Sequence, residues 1–267
     1  MTLPTKPLPV PAASPRRSEA LRVATYNIHK GVRGLGPQRR LEIHNLGLGV
    51  AALDADLVFL QEVRSFHHRE AQFFKRSAQG WPEQGQAHFL APEGYHVAYH
   101  TNAITRGGEH GNALLSRYPL GSHGHHDVSD HRFEQRGLLH VPVEWQGGTV
   151  HTIVAHLGLM HAGRVRQVER IARFIEANVP SGAPLVVAGD FNDWGERLDL
   201  AMRTMGLARA AVDLMKAPRT FPSRAPVFAL DRIYTRGFQC VHTVAPRGGA
   251  WARMSDHLPL VAELLPA

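Results

Sequence analysis

The sequence predicts an α/β fold with mixed sheets, and three observations carry that expectation. Apolar runs of strand length recur, and each ends in polar residues: residues 21–28 end in Asn27-Ile28-His29-Lys30-Gly31, residues 57–60 in Gln61 and Glu62, and residues 184–188 in Gly189-Asp190-Phe191-Asn192-Asp193. Residues 163–178 carry apolar side chains at helical spacing. Between residues 111 and 156, segments of strand character follow one another over short links, as antiparallel neighbours do.

In chain order, residues 21–28 alternate apolar and polar side chains through Val23, Thr25 and Tyr26. Residues 38–55 place Leu41, Leu46, Leu48, Val50 and Leu53 in a helical pattern weakened by Gly47 and Gly49. Residues 57–62 read as a buried strand, 66–78 as a short helix, and 79–94, with Gly80, Pro82, Gly85 and Pro92, as a loop. Strands are expected at 95–99, at 111–119 with Asn112 near its start and Pro119 as its stop, and at 120–128, 137–145 and 149–156. In the helix over 163–178, Val165, Val168, Ile171, Ala172 and Ile175 form the buried stripe, and Arg164, Arg166, Glu169, Arg170 and Arg173 the solvated face. A buried strand at 184–190, a helix at 196–205, strands at 230–234 and 238–244, and a final strand after Ser255-Asp256-His257 complete the reading. No repeat of fixed period is present.

The 267 residues, 43% of them hydrophobic, can bury a sizeable core. Proline and glycine are spread through short turns, so residues 20–267 read as one domain. Residues 1–19, rich in Pro, Ala and Ser, read as a disordered leader, and no run of apolar residues is long enough to span a membrane. The single Cys240 excludes an internal disulfide and any cysteine-based zinc cluster, and it is compatible with a reducing compartment; the expectation is a cytoplasmic monomer. The net charge of +7, 30 basic against 23 acidic residues, favours an anionic partner. Lysine stands only at Lys6, Lys30, Lys75 and Lys216, and no five-residue basic run marks a nucleic-acid arm.

The polar groups at strand ends, Asn27, Glu62, His156, Asp190, Asn192, Asp231, Asp256 and His257, are dominated by hard oxygen donors with two imidazoles. That inventory suits Mg²⁺, which takes one or two carboxylates and keeps waters and substrate phosphate as its other ligands. Singly, each residue has a plainer reading. Gly-Asp-x-Asn is as often a turn, Glu62 a solvated strand end, His156 a satisfied partly buried histidine, and Asn27 and Asn112 turn residues.

Taken in order, Thr25-Tyr26-Asn27-Ile28-His29-Lys30-Gly31, Phe59-Leu60-Gln61-Glu62, Gly111-Asn112-Ala113-Leu114-Leu115-Ser116-Arg117, Ala155-His156-Leu157, Gly189-Asp190-Phe191-Asn192, Leu230-Asp231-Arg232-Ile233 and Ser255-Asp256-His257 resemble the endonuclease/exonuclease/phosphatase superfamily over residues 21–264. The Asn-Ile-His-Lys-Gly segment looks closest to uncharacterised bacterial members. The resemblance implies a four-layer αββα sandwich of two mixed, mostly antiparallel sheets packed face to face, with the site at one edge. It also implies a phosphoester hydrolase dependent on Mg²⁺ or Mn²⁺. Glu62 would be the principal metal ligand, with Asn27 and Asp256 completing the metal and phosphate environment. Asp190 would activate water, Asn192 would bind phosphate, and Asp231 would orient His257 beside the scissile group. His156 would bring a second imidazole to the phosphate, Asn112 would line the cleft, and Lys30 would contact phosphate. His29 stands where several DNA-repair relatives carry an acid, so the resemblance does not by itself imply abasic-site endonuclease activity, and His29 itself is a candidate contact to metal or substrate.

The leading expectation is a phosphodiesterase acting on nucleic acid, lipid or a small phosphodiester; a phosphomonoesterase and an inactive binding module of the same fold are the alternatives. The Asp-x-His, Gly-Asn-His and Gly-His-x-His signatures of calcineurin-like phosphoesterases are absent, as is any recognition-helix or zinc-finger pattern. Substrate choice is expected to lie in the loops around 79–110 and 213–228. Arg106, His110, Arg219, Arg224, Arg247 and Arg253 form either a basic rim or scattered surface charge.

Overall fold

The computed structural model describes residues 19–77, 79–131 and 134–267, so the leader expected at 1–19 lies, Glu19 apart, outside the described residues. In chain order the elements are β1 (Leu21–Asn27), β2 (Val32–Arg33), β3 (Arg40–Leu41), α1 (Ile43–Leu53), β4 (Leu57–Val63), α2 (His68–Phe73), α3 (Gln86–Leu90), β5 (His96–Thr105), β6 (Gly108–Ser116) and β7 (Gly124–Asp127). There follow β8 (Gly137–Trp145), β9 (Gly148–His156), α4 (His161–Asn178), β10 (Leu185–Asp190), α5 (Asp199–Thr204), β11 (Ala208–Arg209), β12 (Asp231–Arg236), β13 (Phe238–Val244), α6 (Trp251–Met254) and β14 (Leu260–Pro266).

Two six-stranded sheets result, ordered β13-β14-β1-β4-β6-β5 and β11-β12-β10-β9-β8-β7. One pair in each is parallel, β1 with β4 and β9 with β10, and the remaining pairs are antiparallel. Strand alternation sorts the apolar side chains into three seams. On β1 and β4, Ala24, Tyr26, Val58 and Leu60 pack under α1, α3 and α6, whereas Leu21, Val23, Leu57 and Phe59 face the other sheet. There they meet Val154, Val186, Ala188 and Ile233, while Leu185, Val187 and Ile153 pack outward against Val168, Ile171 and Ile175 of α4. Three seams between helix, sheet, sheet and helix make the four-layer αββα sandwich.

The middle seam also makes the site. Its inward positions are apolar along most of its length and turn polar at one edge: Val23 gives way to Thr25 and Asn27, Phe59 to Gln61, Ala188 to Asp190, Val154 to His156, and Ile233 to Asp231. Asp190 pairs in register with His156 on one side and Asp231 on the other, so three functional groups stand abreast on adjacent strands. Gly189 permits this close pairing, because a Cβ there would run into the Ala155 carbonyl oxygen.

Several sequence expectations change. The helix read over 38–55 is confined to α1, and the stretch before it forms the β2–β3 hairpin. The loop read over 79–94 contains α3, and Asn112 lies inside β6 instead of near its start. On α4 the stripe is rotated: Arg164 is buried and Val165 exposed, because residues 164, 168, 171 and 175 share the inward face at helical spacing. Arg164 is accommodated there by donating to the carbonyl oxygens of Gly158 and Leu159.

Candidate functional site

Asp190 is the centre of the polar edge. Its Oδ2 accepts from Asn27 Nδ2 at 3.0 Å and faces His257 Nε2 at 3.6 Å and His156 Nε2 at 3.7 Å. Its Oδ1 accepts the Asn192 backbone N–H at 2.9 Å, which Asn192 offers from a left-handed conformation at φ 47°. The Asn192 Nδ2 donates to Leu157 O at 2.9 Å, so the turn that closes β10 is tied to the turn that closes β9. A carboxylate held from several sides in this way has a defined direction.

The two imidazoles beside Asp190 differ in charge. His257 Nδ1 bonds Asp231 Oδ2 at 2.8 Å; burial would lower its pKa, but the carboxylates of Asp231 and Asp190 outweigh burial and push it up to about 10. His156 is equally buried, and burial, aided by the charge of Arg136, brings it down to about 4 against the pull of Asp190 and Glu62. Near neutral pH one ring is an imidazolium and the other is neutral. Burial raises the pKa of Asp190 above the ordinary carboxylate value, against the opposing charge of His257.

The second carboxylate, Glu62, follows a register shift between Leu60 and Val63 and sits at φ 58°. That bulge swings its side chain toward the site instead of under the helices. Its Oε1 lies 3.4 Å from Asn27 Nδ2, and its Oε2 lies 3.0 Å from Lys30 Nζ. Burial alone would raise its pKa, but Lys30, His156 and His29 together hold it well below the usual carboxylate range. His29 and Lys30 also take left-handed backbone conformations, so four candidate site residues, with Glu62 and Asn192, are held in a region that side chains other than glycine rarely adopt.

His29 joins this side to the last motif. Its N–H donates to Asn27 Oδ1 at 3.0 Å and its Nδ1 lies 3.3 Å from Asp256 Oδ2. Ser255, absent from the sequence-derived set although it sits in a quoted motif, donates to Asn27 O at 2.7 Å and accepts from the His257 N–H at 3.3 Å. Arg33 clamps the carbonyl oxygens of Ala252 and Ser255. Arg136 was also missed; it carries no motif, and only its approach in space to His156 reveals it. His110, expected as rim charge, is largely buried and brought down to about 4 by burial and the neighbouring Lys30 charge, so it is neutral near pH 7.

Nine of the eleven candidates, Asn27, His29, Lys30, Glu62, His156, Asp190, Asp231, Asp256 and His257, are joined by these contacts, and Asn192 is bound into the group through Asp190. Asn112 is set apart. It is fully buried and spends its Nδ2 hydrogens on Gly137 O at 2.9 Å and Val154 O at 3.2 Å, pinning one sheet to the other two residues before His156. Asp193 lies behind the site, where its carboxylate meets the buried Arg232 at 3.0 Å.

Two groups of donors invite a metal ion. Ligand atoms of Asp190, Asp231 and His257 lie within 4.8 Å of one another. A ring that is protonated at Nε2 and bonded through Nδ1 has no lone pair to give, so this trio is better suited to handling protons. Asn27, Glu62 and Asp256 offer oxygen atoms, and Glu62 is held ionised. Hard oxygen donors of this kind are what a dication such as Mg²⁺ takes.

A family model described as the endonuclease/exonuclease/phosphatase family matches residues 24–257. An Escherichia coli protein described as the uncharacterized protein YbhP is 35% identical over 250 residues, covering 92% of this chain and 96% of that one. Among solved structures, an endonuclease/exonuclease/phosphatase from Beutenbergia cavernae superposes with a TM-score of 0.71 at 23% identity, over 93% of this chain and 72% of that one. A mannosyl-6-phosphatase of Bacteroides thetaiotaomicron superposes with a TM-score of 0.65 at 17% identity, over 92% and 99%. With the αββα sandwich and a buried Asp–His cluster at its polar edge, the chain belongs to the endonuclease/exonuclease/phosphatase family, a superfamily of phosphoester hydrolases.

Proposed function

We propose that the protein is a divalent-metal-dependent phosphodiesterase in which Asp190 takes the proton of the attacking water. The observation that carries this reading is the setting of Asp190: buried, raised in pKa, and facing one charged and one neutral imidazole. A raised carboxylate is a stronger base than a free one, and its fixed direction suits in-line attack on phosphorus. The His257 imidazolium, held by Asp231, faces the negative charge that develops on the phosphoryl group. His156 supplies a neutral ring to the same centre. The second Nδ2 hydrogen of Asn192 is left for a phosphate oxygen, and His29 and Lys30 border the substrate.

Glu62, Asn27 and Asp256 would hold Mg²⁺ or Mn²⁺, which when bound would neutralise charge on a phosphoryl oxygen. Asn112 acts by positioning the strand that bears His156. A cavity of about 590 Å³, lined in part by His110 and Arg136, lies next to the Lys30–Glu62 side of the site and offers space for a second substituent, which supports a diester.

Turnover of bis-p-nitrophenyl phosphate with Mg²⁺, Mn²⁺ and Ca²⁺ in parallel tests the reading. Metal-dependent cleavage that Asp190→Asn and His257→Ala both abolish is expected; full activity in both variants would refute the roles. The likeness to a mannosyl-6-phosphatase favours a monoester as the second reading, and p-nitrophenyl phosphate in the same assay separates the two. An inactive binding module predicts no turnover of either compound with any metal.

A further inference from the structure

Most of the highly exposed apolar side chains among the described residues lie toward the site-bearing edge. Among the described residues the six most exposed are Met215 at 93%, Leu35 at 88%, Ile104, Leu200, Met160, and Val212 at 68%. Leu35 sits in the β2–β3 turn, beyond the C-terminal end of β1, and Met160 follows β9; both come after strands whose C-terminal ends bear the site, whereas Leu200 lies apart on α5. Ile104 ends β5 beside the hairpin into β6, which runs antiparallel to β4 and so turns at the same edge. Val212 and Met215 follow β11, which runs toward the Asp231 end of its antiparallel partner β12. At the opposite edge, the turns at 54–56, 117–123, 146–147, 179–184 and 237 carry none of the exposed large apolar side chains.

The charge is distributed the same way. Arg106, Lys216, Arg219, Arg224, Arg247 and Arg253 are all exposed on the loops of the site edge or on α6 beside it. Of the exposed acids at this edge, Glu196 and Asp213 are matched by Arg209 and Lys216, which leaves the five arginines against Asp127 at the end of β7. Ile104, Leu159 and Met160 share the lining of the 590 Å³ cavity with His110, Glu134 and Arg136, and His110 is close enough to Glu62 to feel its charge.

We propose that the site-bearing edge docks on an anionic lipid surface, with the apolar loop tips entering the acyl boundary and the arginines meeting the headgroups. Isolated exposed apolar residues are ordinary, but aliphatic tips concentrated at one edge and ringed by cations match what an anionic bilayer presents. Nucleic acid would engage the arginines and could stack on the part-exposed Trp194 and Phe228, but it leaves the aliphatic tips, which are more exposed than either ring, without a role, and an acyl boundary does not. Docking in this pose turns the cavity and Asp190 toward the headgroup layer. The inference goes beyond the proposed hydrolysis and does not depend on it.

Sedimentation of the full chain carrying Asp190→Asn with phospholipid vesicles tests docking without turnover. Vesicles containing one third phosphatidylglycerol in phosphatidylcholine are expected to bind at least about tenfold more tightly than phosphatidylcholine alone, and less tightly as salt rises. The triple substitution Ile104→Ser/Met160→Ser/Met215→Ser is expected to weaken that binding by roughly tenfold or more with the melting temperature unchanged. Arg219→Gln/Arg224→Gln is expected to weaken it and flatten its salt dependence. Failure of the parent to bind anionic vesicles overturns the proposal. So does a triple variant that binds like its parent, because the apolar tips would then be idle. Oligonucleotides, single-stranded and duplex, serve as the rival: if they bind and displace the vesicles while the triple variant is unaffected, the edge is a nucleic-acid surface.

Discussion

Asn27 stands between a part-buried and a buried carboxylate, 3.4 Å from Glu62 and 3.0 Å from Asp190, and the two are driven in opposite directions. Glu62 faces the Lys30 ammonium and is held below the usual carboxylate range, whereas Asp190 is more strongly desolvated than it is compensated and is raised. An ionised carboxylate and a raised one are thereby made from similar side chains by their neighbours alone, as the proposed division between metal donor and base requires. Environments that push two titratable groups apart assign their roles more firmly than residue type does.

The largest effect expected from this contrast is that of Asp190→Asn, which removes the base and leaves the donor. Turnover should fall by about 10²–10⁴-fold while the metal concentration for half-maximal rate stays within a few-fold of the parent, as read from rate against Mg²⁺ or Mn²⁺. Glu62→Gln should do the converse. The metal requirement should rise by ~10-fold or more, with much of the turnover recovered at high metal. Identical metal curves for the two variants would erase the distinction between the carboxylates.

Asp231→Asn sharpens the same contrast through pH. The raised His257 pKa means that its charged form persists as pH rises and is lost near 10, so activity that needs the imidazolium should fall on an alkaline limb near 10. Without the Asp231 charge that limb should move to lower pH. The variant should approach parental kcat/KM near pH 6 and fall behind by about tenfold above pH 8. The acid limb, which reports Asp190, should lie above the 3.8 of an ordinary aspartate in both proteins. An alkaline limb unmoved by the substitution would show that His257 is not the group titrating there.

The polar edge could be read in the sequence because of the rule that builds the middle seam. Period-two alternation announces the inward positions, and a polar residue where that column should stay apolar, as at Asn27, Asp190 and Asp231, is conspicuous in one dimension. Glu62 was legible only as a strand end; the bulge that re-aims it depends on pairing with β6 and leaves no local trace. The protonation of the two histidines was not legible. The resemblance paired Asp231 with His257, but the opposite charge of the two rings follows from how closely Arg136 and the carboxylates of Asp231 and Asp190 approach them in space. For the same reason Arg164 was assigned to the wrong face of α4, since its partners are carbonyl groups of a turn that comes before the helix.

Ser255→Ala is expected to have the smallest effect, and it tests whether the halves of the site are mechanically joined. The hydroxyl ties the backbone of Asn27, which touches both carboxylates, to the backbone of His257, which charges one side of Asp190. Loss of these two buried hydrogen bonds should cost about 1–3 kcal/mol, at roughly 2–4 °C in melting temperature per kcal/mol for a chain of this size. A residue that only supports the fold would stop there. A link between the halves should also lower kcat a few-fold and raise the metal requirement together, because Asn27 and His257 lose a shared reference point and both carboxylates answer to them. A melting shift with unchanged kcat and unchanged metal dependence would mean that the donor side and the base side are set independently, each by its own strand.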